Sequence, residues 1–347
     1  MNILQKLFSP ISSHNASPRK NARLFLVLGG ALALSFFASL YVGSAKIDIF
    51  GAFSDLFSGN FESPDFRILF YVRLPRVLGA LLSGAALAAS GAIIQAVLNN
   101  AMAAPNIIGV NSGAGFFAVL LIAAFPSAVG FVPIAAFFGA LGACLLIYAI
   151  ASKTGADKMT VTLVGIAVGS ILGAGINTLK TLFPDSVYDA DSFMIGGLSG
   201  VGFSKLALAA IIIFAGLILA CVFARGLDVL SLGDESARSL GMNVRCARFL
   251  FLTLAAALAG AAVSFAGLLG FVGLLVPHIM RRLVGADHRA LVPASVLGGA
   301  LLVLLCDLVS RTLFAPYELP VGILLSLLGG PFFIILVLAR RNGDFYD

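Results

Sequence analysis

The chain has 347 residues, of which 60% are hydrophobic and only 11% are charged. Soluble domains are about half apolar and about one quarter charged, so this composition excludes an ordinary soluble domain. The net charge of +6 is spread over short segments rather than one basic run, which indicates membrane topology and not nucleic-acid binding.

Ten apolar segments are predicted to cross a membrane as helices, because runs of roughly 18 apolar residues or more recur along the chain. The fold class is therefore all-α, a polytopic membrane protein. The first segment resembles a signal peptide, but it is longer than a usual signal core and is predicted to be retained. The eighth is short, and Pro277 is expected to interrupt it. The predicted spans are 24–43, 74–98, 106–124, 130–151, 159–182, 204–224, 246–265, 271–283, 290–313 and 319–339.

The distribution of Lys and Arg predicts the orientation of these spans. An even number of spans places both termini on one side, and most cations fall on that side. The positive-inside rule then puts both termini in the cytoplasm. We predict a cytoplasmic segment at residues 1–23 and a single transmembrane domain at 24–347. On the outer side, residues 44–72 and 183–203 are expected to be structured. Residues 193–198 form either a short helix reaching into a pore or a surface loop on the bilayer.

The sequence gives little support to enzyme chemistry. The nucleotide-binding pattern GxxxxGK[ST] is absent, as are HExxH and GxSxG. The four cysteines are isolated, and the three histidines are scattered, so neither a disulfide framework nor a metal site is predicted. His278 is assigned a structural role. No directly bound cofactor is expected; if transport uses ATP, a separate partner must bind ATP and magnesium.

The loop between the sixth and seventh spans, about residues 225–245, carries the most specific pattern. It predicts short amphipathic helices broken by Gly233 and Gly241. Asp234 and Glu235 begin the second helix, where acidic side chains are favourable. The loop is either a connector lying on the membrane surface or a docking element for a soluble partner.

This loop, LSLGDESARSLG at residues 230–241, resembles the LxLGxxxAxxLG element of the FecCD permease family. Five further motifs extend the resemblance over nearly the whole chain, although Ala101 stands where the family usually has proline. They are RLPR at 73–76, NAMAAPNIIG at 100–109, GFVGLLVPHIMR at 270–281 with DHR at 287–289, ELPVG at 318–322 and GPFF at 330–333.

The resemblance implies a membrane subunit of a bacterial inner-membrane ATP-binding-cassette importer for ferric siderophores, haem or cobalamin. It implies about ten helices per subunit, a second permease that is identical or different, two ATPase subunits, and a periplasmic or lipid-anchored binding protein. Most of the family serves iron, so an iron chelate is the expected cargo. The residues expected to contact the ATPase are Leu232, Gly233, Asp234, Ala237, Leu240 and Gly241.

Three arginines lie on the predicted outer side, where the positive-inside bias disfavours cations: Arg73, Arg76 and Arg311. By resemblance they pair with acids of the binding protein, a role that suits the forked guanidinium group. Two alternatives remain open at this point. Arg73 and Arg76 could extend to lipid headgroups, and Arg311 could pair with Asp307 four residues earlier.

Glycines indicate where helices pack closely or line the translocation path. Gly165, Gly169 and Gly173 form two consecutive small-xxx-small steps. Gly196 and Gly197 lie in the outer segment that could enter the pore.

Two rival functions remain open at this point. An ion-coupled transporter would need intramembrane acids, for which Asp307 is the clear candidate. A membrane-embedded enzyme would need a polar catalytic cluster, and the sequence offers none.

Overall fold

A computed structural model describes residues 18–43, 47–153, 158–313, 315 and 317–341, so the first 17 residues of the predicted cytoplasmic segment lie outside the described residues. The described part of the chain is all-helical. The helices are α1 (Pro18–Tyr41), α2 (Ile49–Ser58), α3 (Pro64–Arg67), α4 (Leu74–Val97), α5 (Val110–Ala124), α6 (Val132–Ser152), α7 (Lys158–Leu182), α8 (Val187–Ile195), α9 (Phe203–Val222), α10 (Ala224–Ser231), α11 (Asp234–Ser239), α12 (Val244–Ala266), α13 (Val272–Val284), α14 (His288–Ser310) and α15 (Val321–Arg341).

Each of the ten predicted spans corresponds to one of these helices. Among the described residues, seven helices are long and apolar enough to cross a membrane, and α5 and α13 are shorter. The second predicted span begins earlier than expected. A π-helical turn, Ile68–Arg73, joins α3 to α4, so that one helical run extends from residue 64 to residue 97. The segment 44–72, predicted to lie on the outer side, is helical over much of its described part, in agreement with the prediction that it is structured.

The prediction that Pro277 interrupts the eighth span is wrong, because α13 continues through this proline. Proline lacks the N–H that would bond the carbonyl four residues earlier. That carbonyl belongs to Gly273, and it accepts a hydrogen bond from the Gln95 Nε2 atom of α4 at 3.3 Å. A neighbouring helix therefore satisfies the freed carbonyl, which is how membrane helices accommodate proline.

Helix α4 forms the centre of the bundle and is buried along almost its entire length. Two of its glycines allow neighbouring backbones to approach closely. A Cβ atom on Gly84 would lie 2.2 Å from the Gly299 carbonyl oxygen of α14. A Cβ atom on Gly91 would lie 1.8 Å from the Gly273 carbonyl oxygen of α13. Small residues at such crossings supply the contact area that drives helix association in lipid.

The predicted glycine stripe on α7 divides into two parts. A Cβ atom on Gly165 would lie 1.9 Å from the Ile107 carbonyl oxygen, and one on Gly169 would lie 3.2 Å from the Ser112 hydroxyl. These two glycines therefore pack α7 within the chain. Among the described residues, no atom lies within 4 Å of a Cβ placed on Gly173.

We expect Gly165→Ala and Gly173→Ala to differ sharply although they change the same helix. The added methyl at residue 165 meets backbone that cannot yield easily, and overpacking typically costs about 1–3 kcal/mol. The methyl at residue 173 meets open space in the described part of the single chain. The thermal stability of the detergent-solubilised chain is the measurement. Equal stability of the two variants would contradict the assigned packing.

Candidate functional site

An ion cluster lies buried where the N-terminal end of α4 meets the C-terminal end of α14, on the side predicted to be outer. Arg76 donates from Nε to Asp307 Oδ1 at 2.9 Å and from Nη1 to Glu318 Oε2 at 2.6 Å. Arg311 Nε lies 3.4 Å from Asp307 Oδ2, one helical turn along α14. The Asp307 side chain is fully buried, whereas the Glu318 side chain is 32% exposed. The cluster therefore links three segments, and Glu318 is its accessible member.

Two arginines of this region also cap the end of α1. Arg73 Nη1 donates to the carbonyl oxygens of Leu40 at 2.6 Å and Tyr41 at 2.8 Å. Arg311 Nη2 donates to the Ser39 carbonyl oxygen at 2.8 Å. The last carbonyls of a helix lack intrahelical partners, and guanidinium groups satisfy them here.

These contacts test the two alternatives to docking that were raised for the three arginines. The Arg311–Asp307 pair is confirmed. Extension of Arg73 and Arg76 to lipid headgroups is wrong, because both residues are buried and bonded within the chain. Docking of a binding protein stays a prediction. In this arrangement it would have to involve Glu318 or a rearrangement of the cluster, since Arg76 is only 8% exposed.

A cavity of about 400 Å³ lies beside the ion cluster. It forms where three helices end near one another: the C-terminus of α8, the C-terminus of α12 and the N-terminus of α15. Gly197 N donates to the Ala266 carbonyl at 2.8 Å, and Gly322 N donates to the Gly196 carbonyl at 3.2 Å. Broken helix ends within a membrane protein are tolerated where protein or a cavity satisfies the backbone.

Both glycines of the outer segment are placed at this junction. Gly196 has φ of +77°, and a Cβ atom placed on it would lie 2.5 Å from the Leu268 carbonyl oxygen, so a side chain is excluded there by conformation and by space. Gly197 lines the cavity. Leu198 is 1% exposed. The segment is therefore a short helix followed by a buried turn, and the alternative of a surface loop is wrong.

The cavity is lined by groups of both charges together with small polar side chains. Arg76 and Lys205 contribute positive charge, and Asp189 and Glu318 contribute negative charge. Apolar surface from the end of α12 and the start of α15 completes the wall. Such a mixed wall offers hydrogen-bonding groups of both charges to a polar solute.

At the opposite end of the bundle, α10 and α11 form the predicted pair of short amphipathic helices. Leu227 and Ala237 are fully buried, whereas Leu232 and Leu240 are 63% and 64% exposed. Gly233 has φ of +99°, a conformation that favours glycine and turns the chain between the two helices. We name the exposed side of α10–α11, with Leu232 and Leu240, the cytoplasmic-loop surface, after its predicted location.

Each short helix is fixed to a different membrane helix by one carboxylate. Asp228 Oδ1 accepts from the His288 backbone N–H at 2.9 Å and lies 2.6 Å from His288 Nδ1, at the first turn of α14. Asp234 Oδ1 accepts from Arg248 Nη2 at 2.7 Å, in the second turn of α12. The adjacent Asp287 caps α14, and its hydrogen bond from Arg289 holds the pKa of that carboxyl below its usual range.

The Arg311–Asp307 pair could be predicted from the sequence. Asp307 and Glu318 were missed as partners of Arg76, since they lie 231 and 242 positions away. The pairing of Asp228 with His288 was also missed. Glu318 and His288 lay inside recognised motifs, so the motifs marked them as important without indicating their partners.

Comparison with known proteins identifies the family. The model of the FecCD transport family matches residues 31–339. The chain belongs to the FecCD transport family. This FecCD chain is 39% identical over 329 residues to the hemin transport system permease protein HmuU of Yersinia pestis, covering 91% of this chain and 96% of HmuU. It is 38% identical over 316 residues to the Fe(3+)-citrate import system permease protein YfmE of Bacillus subtilis (strain 168), covering 90% of this chain and 93% of YfmE.

A solved structure has the same fold as the FecCD chain. It is described as the inward-facing conformation of a metal-chelate type ABC transporter. The TM-score is 0.78 at 29% identity, over 91% of this chain and 99% of the solved chain. The expected fold, an all-helical permease, is therefore confirmed.

Proposed function

We propose that this chain is the membrane-spanning permease subunit of an ATP-binding-cassette importer that moves an iron chelate, a ferric siderophore, across the bacterial cytoplasmic membrane. The observation that carries the proposal is the family match over residues 31–339. Relatives named for hemin and Fe(3+)-citrate transport support iron-containing cargo. Haem is the second candidate on the strength of HmuU, and cobalamin is the third.

In this proposal the chain is a transport subunit with ATP and magnesium held by its partner. Residues 1–23 form a cytoplasmic segment, residues 24–347 form one permease domain, and both termini are cytoplasmic. Two ATPase subunits dock on the cytoplasmic-loop surface, a second permease completes the pore, and a binding protein delivers cargo at the outer cavity.

The rival function, an ion-coupled transporter, would need an intramembrane acid as its coupling site. Asp307 is the candidate, and it is already paired with two arginines, which weakens this rival.

Uptake measurements would identify the cargo. A strain in which this gene is the sole source of the permease would be offered ferric citrate, a ferric hydroxamate, haem and cobalamin, each radiolabelled. Saturable uptake of an iron chelate that stops when ATP is depleted, with the ion gradients kept, supports the proposal. Uptake that follows the ion gradient and ignores ATP depletion would overturn it.

The cytoplasmic-loop surface gives a sharper prediction. We expect the double variant Leu232→Asp and Leu240→Asp to lose its ATPase partner, because two exposed apolar side chains are replaced by charges at the proposed contact. Both side chains are more than half exposed, so the fold itself should be little affected. Co-purification of the ATPase measures the effect. Lys153→Gln, an exposed change at the end of α6, is the matched control and should retain the partner.

A further inference from the structure

The two carboxylate links at the cytoplasmic end connect the loop helices to different membrane helices. Helix α10 packs against α4 and α14, whereas α11 packs against α10 and α12. Asp228 joins α10 to the N-terminus of α14, and Asp234 joins α11 to Arg248 of α12. The His288 and Arg248 side chains are each 4% exposed, so both links lie at the protein side of the surface, behind the exposed leucines.

Both membrane helices lead to the same outer cavity. Helix α14 carries Asp307, which holds Arg76 in the cavity wall. From His288 to Asp307 the helix rises about 29 Å at 1.5 Å per residue. Helix α12 ends at Ala266, which itself lines the cavity, about 27 Å from Arg248 by the same rise.

Helix α12 is continuous from Val244 to Ala266, and α14 continues through Pro293 from His288 to Ser310, so each spans the distance from its link to the outer cavity. A displacement of α10 or α11 therefore moves the outer end of α14 or α12 if the carboxylate link holds. Each link is a hydrogen bond to a carboxylate at a partly buried position. Hydrogen bonds that involve an ionised group are stronger than hydrogen bonds between neutral groups.

We propose that Asp228–His288 and Asp234–Arg248 are two positioning links that carry movement of a docked ATPase from the cytoplasmic-loop surface to the outer cavity. Asp228 acts through α14 and the ion cluster, and Asp234 acts through α12 and its broken end. The inference rests on the proposed function, since it requires an ATPase at that surface. It adds which side chains transmit the movement and which membrane helices receive it.

The test uses the complete transporter, with ATPase and binding protein, reconstituted in proteoliposomes. Chelate uptake and ATP hydrolysis are measured together for Asp228→Asn, Arg248→Gln and Arg248→Lys. We expect uptake per ATP hydrolysed to fall about fivefold or more for the first two, in the usual range of coupling between sites. Arg248→Lys, which keeps the charge, should recover part of the loss. Lys153→Gln is the control, because Lys153 is exposed at the end of α6 and belongs to neither link.

A covalent cross-link between α10 and α14 tests the transmission of movement separately from the effect of a substitution on folding. In a background with Cys221 and Cys246 changed to Ser, Asp228→Cys and His288→Cys would be joined by a short, reducible thiol cross-linker. The same preparation should transport efficiently per ATP when joined and poorly after reduction. Unchanged uptake per ATP in Asp228→Asn and Arg248→Gln, or no effect of reduction, would overturn the inference. Failure of the wild-type complex to use ATP at all would instead overturn the proposed function.

Discussion

Asp307→Ala is expected to destabilise the protein severely, by about 3–5 kcal/mol, because it leaves two arginines buried without their shared carboxylate. Arg76 and Arg311 are 8% and 3% exposed, so water cannot replace the lost partner easily. The same change removes the Arg76–Asp307 ion pair between α4 and α14. The yield and thermal stability of monodisperse protein in detergent are the measurements.

The matched control is Asp191→Ala, which removes an acid from a more accessible ion pair. Asp191 pairs with Lys180, and its side chain is 47% exposed. Such surface pairs contribute about 1 kcal/mol or less. If the Asp307 variant were as stable as the Asp191 variant, the ion cluster would have no structural role, and direct docking by its arginines would become the better account.

Gly91→Ala is expected to prevent α4 from packing on α13. The new Cβ would lie 1.8 Å from the Gly273 carbonyl oxygen, far inside van der Waals contact, and the neighbouring atoms are backbone. The cost should exceed about 3 kcal/mol, since neither helix can shift without disturbing the fully buried centre of the bundle. Loss of well-folded protein in size-exclusion chromatography is the expected result.

Gly142→Ala is the control for this change, because it also replaces a glycine inside a membrane helix. No atom of the described residues lies within 4 Å of a Cβ placed at residue 142. Alanine favours the helix over glycine by roughly 0.5–1 kcal/mol, so this variant should be as stable as the wild type or slightly more stable. A well-folded Gly91→Ala protein would contradict the close approach of α4 and α13.

The helices and the family could be predicted from sequence because both depend on local signals. Apolar runs marked the spans, and Gly233 and Gly241 marked the ends of α10 and α11. Partners distant in sequence could not be predicted. Pro277 indicated a helix break by its own chemistry, and only the position of Gln95 on another helix shows why the helix continues.

The outer arginines illustrate the same limit. The charge bias disfavours cations on the predicted outer side, so the presence of Arg73, Arg76 and Arg311 there required an explanation. The family resemblance suggested pairing with a partner protein. The structure supplies acids and helix-end carbonyls of the chain itself as partners. A single sequence does not show which of its own buried groups will reach a given guanidinium.

The central proposal is that this FecCD protein works as the permease of an ATP-driven importer. The most direct measurement is gentle affinity purification of the tagged protein from native, iron-starved membranes, followed by mass spectrometry of the co-purified chains. The account predicts an ATPase carrying GxxxxGK[ST] at about one copy per permease. Recovery of the protein alone, in a detergent that preserves other complexes of the same membranes, would contradict it.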